Sequence, residues 1–212
     1  MGKPVIILGV HSLGKLALEI FQKNDIVVYG LLSEDKALQG TEVSHVPVLS
    51  SIEDEQYLGL LGKTCEAFVA VEQHVSRQKL ISTLSKQRKI IPINAIHPLA
   101  AIASTASIGY GNLVNVGASL GYGTALGSHC TVHAHVAIEH EAIIKDFVQI
   151  GTGSIIGAQA VIEEHVFIGL GATIITGIQV GAGARIGAGS VVLDHVHPGE
   201  VVLGNPAKPV QY

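Results

Sequence analysis

Four histidines crowd residues 129 to 140: His129, His133, His135 and His140. Histidine is the side chain whose ordinary pKa lies near working pH, so a neutral imidazole can take a proton from an attacking amine or hydroxyl group. One of these four is the candidate base. The run Ile138-Glu139-His140-Glu141 sets an imidazole beside carboxylates. A carboxylate that holds one ring nitrogen fixes the tautomer and stabilises the imidazolium, leaving the other nitrogen for the substrate. Adjacency in sequence does not by itself make that hydrogen bond.

The elements that must position these groups are announced by a period of six. From Ile96 to Val192 every sixth residue is aliphatic, among them Ile102, Val114, Leu126, Ile138, Ile150, Ile162, Ile174 and Ile186. A helix would repeat every ~3.6 residues and a strand every ~2, so neither dominates this half of the chain. Two residues before each aliphatic stands a mostly small or branched one, such as Ala118, Cys130, Ala142 and Ala160. A large and a small inward residue per rung would fill a narrow prism. Glycine often follows the aliphatic, as at Gly109, Gly121, Gly157 and Gly169, where a corner demands backbone geometry that a Cβ would resist. The unbroken count predicts a solenoid with no extruded loop.

The first 95 residues read differently. Val5 to Leu8 suggests a buried strand, Gly9-Val10-His11-Ser12-Leu13-Gly14 a turn, and Lys15 to Lys23 a helix with Leu16, Ile20 and Phe21 on one side. Further strands are expected at 26–32, 67–71 and 89–93, with a helix at 75–87. This alternation predicts a small parallel sheet of Rossmann type. The first amides of a helix can meet a phosphate. The dinucleotide fingerprint is incomplete, however, since His11 stands at its middle glycine and Ser33 follows the second strand. Nicotinamide binding is not expected. The fold expected is thus α/β plus all-β, with one domain at 1–95 and the other at 96–212.

The hexads, ending in Gly204-Asn205-Pro206-Ala207-Lys208, resemble the hexapeptide acyltransferases. The order of the two domains resembles, more narrowly, the bacterial sugar acetyltransferases that act on nucleotide-linked amino sugars or on sialic acid, including the bacillosamine and perosamine N-acetyltransferases. The resemblance implies a left-handed parallel β-helix and a homotrimer with sites between subunits. It implies acetyl-CoA as co-substrate, His140 as general base and Glu141 as its orienting partner. Acetyl-CoA would lie along Ala158, Leu170 and Ala188, with Gln149 where the family often has a second histidine and Lys208 near the CoA phosphates. The N-terminal domain would hold the nucleotide sugar at Gly9, His11, Ser12, Leu13, Ser33, Glu34 and Glu72. Here the chain departs from the family: His11, Ser12 and Leu13 replace the usual small and histidine positions, Ser33 and Glu34 replace two aspartates, and Glu72 replaces a glycine. A carboxylate at Glu72 would repel a diphosphate if it pointed inward. O-acetylation of sialic acid or another sugar hydroxyl, and a non-catalytic sugar-binding scaffold trimer, are the alternatives.

Composition narrows the partners. A net charge of −4 and scattered Lys and Arg provide no footprint for nucleic acid. Cys65 and Cys130 show neither metal nor disulfide spacing. His135 and His140 have the spacing of zinc ligands in trimeric solenoids of the carbonic anhydrase type, but Leu99 to Ser104 lacks the third histidine that such a site needs, and no metal is expected. Residues 90–138 carry no Asp, Glu, Lys or Arg, yet Gly, Asn, Pro and His interrupt them too often for a membrane span. The N-terminus leads straight into a strand without a leader-like cleavage site, so a cytoplasmic protein is expected.

Overall fold

The computed structural model describes residues 2–210. It separates into two compact units, Met1–Pro98 and Leu99–Tyr212.

In the first unit β1 (Val5–Leu8) is apolar at every position and fully buried, as a central parallel strand covered on both faces must be. It is flanked by β2 (Val28–Leu32) and β5 (Glu66–Val69), both parallel to it. β4 (Val46–Ser50) runs parallel on β2, and the short β3 (Glu42–Val43) closes the edge antiparallel, giving the order β3-β4-β2-β1-β5. Helix α1 (Ser12–Lys23) buries Ala17, Leu18, Ile20 and Phe21, and Phe21 meets Phe68 of β5 edge-on at 5.6 Å. Helices α2 (Glu55–Leu58) and α3 (His74–Arg88) are joined by a charge-assisted bond of 2.6 Å between Arg88 and Glu55.

Three details differ from the sequence reading. Helix α1 starts at Ser12 rather than Lys15, because Glu72 accepts a bond from the Leu13 amide while the side chain of its N-cap, His11, makes no capping bond. β5 ends at Val69, with Ala70 N–H making a last bond to Leu8 O at 2.8 Å. No strand forms over 89–93: Lys89 closes α3 in the left-handed region at φ 55°, and Ile93 reaches the sheet through its N–H to Ala67 O. The β3–β4 pair and α2 carried no signal that the pattern of apolar residues could show.

The second unit is a stack of two-residue parallel strands in three sheets. Ala101, Ser119, Ala137, Ile155, Thr173 and Val191 are mutual neighbours in one sheet, each 18 residues from the next. The strands starting at Ser107 and at Leu113 belong to the other two. Three strands therefore make one coil, and the parallel hexapeptide rungs fit a left-handed β-helix. Ile138, Ile144, Ile150, Ile156, Ile162 and Ile168 all point into the prism and are at most 1% exposed. The small partners Ala118, Cys130, Ala142 and Ala160 are buried with them. Where that partner is polar its group is satisfied, as at Ser154, whose hydroxyl donates to Gly169 O at 2.8 Å.

The corner glycines are needed for a reason other than turn geometry. A Cβ on Gly157 would sit 2.5 Å from Thr176 N, and one on Gly169 would sit 2.5 Å from Ala188 N, so the next coil leaves no room. The left-handed backbone falls two residues later, at Gly171 and Gly177 but also at His129, His135, Glu141, Phe147, Gln159 and His165. From 101 to 192 no loop leaves the coil. Beyond Val192 the beat shortens: Val201 pairs with Arg185, and Lys208–Pro209 folds back antiparallel on Val202–Leu203. Among the described residues no helix is long and apolar enough to cross a membrane.

Candidate functional site

Each hexad turns a corner through two residues, and residues 18 apart share a corner. The four clustered histidines therefore separate. His129 lies on one corner, under a ladder in which it stacks on Phe147 at 5.1 Å and Phe147 stacks on His165 at 5.1 Å. Tyr110 closes that ladder edge-on against His129 at 5.4 Å. The 18-residue spacing of 129, 147 and 165 was visible in the sequence, and this packing role accounts for His129. His133 and His135 lie on a second corner. His140 lies on the third, at the tip of the turn after Ala137–Ile138.

His140 is exposed, as is His135, and alone of the four is flanked in sequence by two carboxylates. Its Nδ1 is 4.0 Å from Glu139 Oε2, and its side chain is 57% exposed. Glu141, the expected orienting partner, instead accepts a hydrogen bond from Gln159 Nε2 at 2.8 Å. The cause is local: Glu141 occupies the left-handed corner position, so its side chain runs along the column of Gly123, Glu141 and Gln159. In one chain the carboxylate closest to the imidazole is thus Glu139, a partner that the sequence reading passed over, and Gln159 is an unforeseen holder of Glu141.

His133 is the histidine whose proton affinity burial changes: desolvation holds its pKa below the ordinary value of 6.5. The folded state keeps this ring neutral, while the unfolded chain takes up a proton near pH ~6.5. Stability is then unaffected well above that pH and is lost as pH falls through it towards the lower folded value. His133→Gln should narrow the drop in thermal midpoint between pH 7.5 and 5.5. An equal drop in both proteins, measured by circular dichroism, would remove His133 as a cause.

The expected acetyl-CoA contacts are divided between corners. Ala158 sits one coil above His140, and Gln159 N–H donates to His140 O at 3.0 Å. Leu170 and Ala188 share the other corner with Thr152, as the bonds Gly171 N–H to Thr152 O at 2.9 Å and Gly189 N–H to Leu170 O at 2.8 Å show. Gln149 is half-buried on the strand leading to that corner. Leu170 is 61% exposed and Ala188 is exposed, whereas Ala158 is nearly buried. These two corners bound opposite edges of the face carrying Ala137, Ile155 and Thr173, so one chain does not bring His140 against Leu170 and Ala188. Lys208 stands at the end of the solenoid, 3.8 Å from Asp194.

In the first unit Gly9, His11, Ser33, Glu34 and Glu72 do come together, lining a cavity of about 350 Å³ with Val10, Val71 and Gln73. Ser12 and Leu13 open α1 beside it, and Leu13 N–H donates to Glu72 Oε1 at 3.1 Å. Among the described residues no group of three or more His, Cys, Asp or Glu is placed to hold a metal ion.

A family model described as the hexapeptide repeat of succinyl-transferase matches residues 159–194. Structures similar over the whole chain include a mutant of the GDP-perosamine N-acetyltransferase of Caulobacter crescentus, in complex with CoA and GDP-perosamine. It is 25% identical with a TM-score of 0.89, over 99% of this chain and 97% of that one. The acetyltransferase domain of PglB from Neisseria gonorrhoeae, in complex with acetyl coenzyme A, is 26% identical with a TM-score of 0.88, over 99% and 100% of the two chains. WeeI from Acinetobacter baumannii is 25% identical with a TM-score of 0.85, over 98% and 99%. By sequence alone the chain matches none of the curated proteins. The hexapeptide rungs and the end-to-end likeness to these acetyltransferases make the chain similar to the hexapeptide-repeat sugar acetyltransferases and mark it as an acyltransferase.

Proposed function

We propose that this enzyme transfers the acetyl group of acetyl-CoA to an amino group on a nucleotide-linked sugar, with His140 as general base. The observation that carries this is the exposed imidazole of His140 at a corner of the solenoid, flanked by Glu139 and Glu141. The neutral ring takes the proton of the acceptor nitrogen as that nitrogen attacks the thioester carbon. The C–S bond then breaks, CoA leaves as its thiolate, and the proton held on His140 passes to the sulfur. No covalent acyl-enzyme is needed. A backbone N–H aimed at the thioester oxygen would stabilise the developing oxyanion.

The division of the acetyl-CoA residues between two corners supports a homotrimer. A second copy would bring its Leu170 and Ala188 column beside the His140 of the first, completing a site that one chain holds in halves. The N-terminal unit, read as Rossmann-like, would hold the sugar carrier in the cavity beside Gly9. Ala188→Phe, which adds bulk to an exposed position of the column, should raise the KM for acetyl-CoA about tenfold or more while leaving the KM for the sugar nearly unchanged. Release of CoA thiol, followed with a disulfide reagent while each substrate is varied, reads both constants. Equal effects on the two would misplace the column.

A further inference from the structure

The cavity of the first unit opens at the carboxyl ends of β1 and β5, beside the start of α1. The sheet order puts β2 on one side of β1 and β5 on the other, so successive connections diverge there. Open parallel sheets take ligands in such crevices. The lining of this one is nevertheless poor for phosphate. Its carboxylates are Glu34 and Glu72, and among the described residues neither lysine nor arginine lines it. Ser33, buried at the cavity wall, is held in place by the chain itself: its hydroxyl accepts Asp35 N–H at 3.1 Å, its own N–H goes to Ser50 O at 2.9 Å, and its carbonyl accepts Gln39 Nε2 at 3.3 Å.

One of the helix amides a phosphate could use is taken. Leu13 N–H, in the first turn of α1, donates to Glu72 Oε1, so the positive end of the helix is met by an anion of the chain itself. A tight turn at Gly9 has an explanation without any ligand, because a Cβ there would lie 2.5 Å from Ala70 O. A diphosphate entering this cavity would meet Glu72 already seated on the Leu13 amide and would remain beside two carboxylates.

We infer that Glu72 is a specificity-determining residue that selects against diphosphate carriers, so that the acceptor sugar reaches this cavity on a neutral or singly charged carrier. The inference rests on the acetyl-transfer reading only for what the cavity holds, and its test does not use turnover. Titration calorimetry on the full chain would compare UDP-glucose and GDP-mannose, as diphosphate probes, with the uncharged nucleosides uridine and guanosine. Glu72→Gln keeps an oxygen for Leu13 N–H and removes the charge, so α1 should keep its cap. Glu72→Gly exposes the amide outright. Both variants should bind the two diphosphate sugars about tenfold more tightly than the wild type at low salt, with a smaller gain at 0.5 M salt, while the nucleosides change less than about twofold. The inference is overturned if the wild type binds a diphosphate sugar as tightly as the variants do. It is overturned equally if nucleosides tighten in step, which would make Glu72 a steric matter, or if none of the three proteins binds a diphosphate sugar. Failure of the acetyl-transfer reading would appear elsewhere, in the turnover of His140 variants.

Discussion

His140→Ala lowers kcat by about 10²–10⁴-fold on the true acceptor, the range expected when one general base is lost. The change is confined by the fold. His140 is 57% exposed at a corner, its backbone carbonyl still accepts Gln159 N–H, and the inward residues of its coil, Ile138 and Ala142, are untouched. Coil stacking and acetyl-CoA affinity should therefore survive, which circular dichroism and calorimetry would check alongside the rate. A fall in kcat with acetyl-CoA affinity retained separates a base from a residue that only binds. Glu141→Ala should cost less, since in one chain its carboxylate is spent on Gln159. Wild-type turnover by His140→Ala would shift the role to His133 or His135, which share the corner of the Leu170 and Ala188 column.

How far the sequence reached follows from which residues answer to one demand repeated in every coil. Ile138, Ile156 and Ile174 lie at the same inward position one coil apart, and each must fill the same prism, so their period could not be disguised. The same arithmetic assigns corners: 140 and 158 differ by one coil, as do 152, 170 and 188, so the division of the acetyl-CoA residues between corners follows from counting along the chain. Which carboxylate faces His140 does not. Glu139 and Glu141 flank it equally in sequence, and only the left-handed backbone of Glu141, together with Gln159 above it, turns that side chain along the column. The first unit was legible at β1, whose four buried apolar residues leave no other reading, and illegible at 89–93, where Lys89 closes α3 in a left-handed conformation that no local composition demands. The role of Glu72 as the cap of α1 is a contact across 59 residues, beyond any local pattern.

The solenoid should lose stability most steeply where the regular coils are interrupted in mid-stack. Ile156 is 0% exposed, and its strand is paired on both sides, with Ile138 one coil below and Ile174 one coil above. Truncation to alanine removes a buried branched side chain from a rung whose neighbours are held by backbone bonds to both adjacent coils, Glu139 N–H to Ile156 O at 2.9 Å and Gly157 N–H to Ile174 O at 2.8 Å. The walls of the prism cannot collapse inward without breaking that ladder, so most of the cavity remains, and Ile156→Ala should cost about 2–5 kcal/mol against about 0.5–1.5 kcal/mol for Ile156→Val. Because each coil of a repeat protein is stabilised by its neighbours, the loss should spread along the stack rather than stay at one rung. Amide exchange should accelerate at Gly157, Ile155 and Thr173, which bond between coils around the cavity, ahead of β1 and β5 in the other unit. Denaturant titration followed by far-ultraviolet circular dichroism measures the cost. A loss below about 1 kcal/mol for the alanine variant would mean that the coils close over the gap, and the prism would then be far softer than its backbone ladder implies.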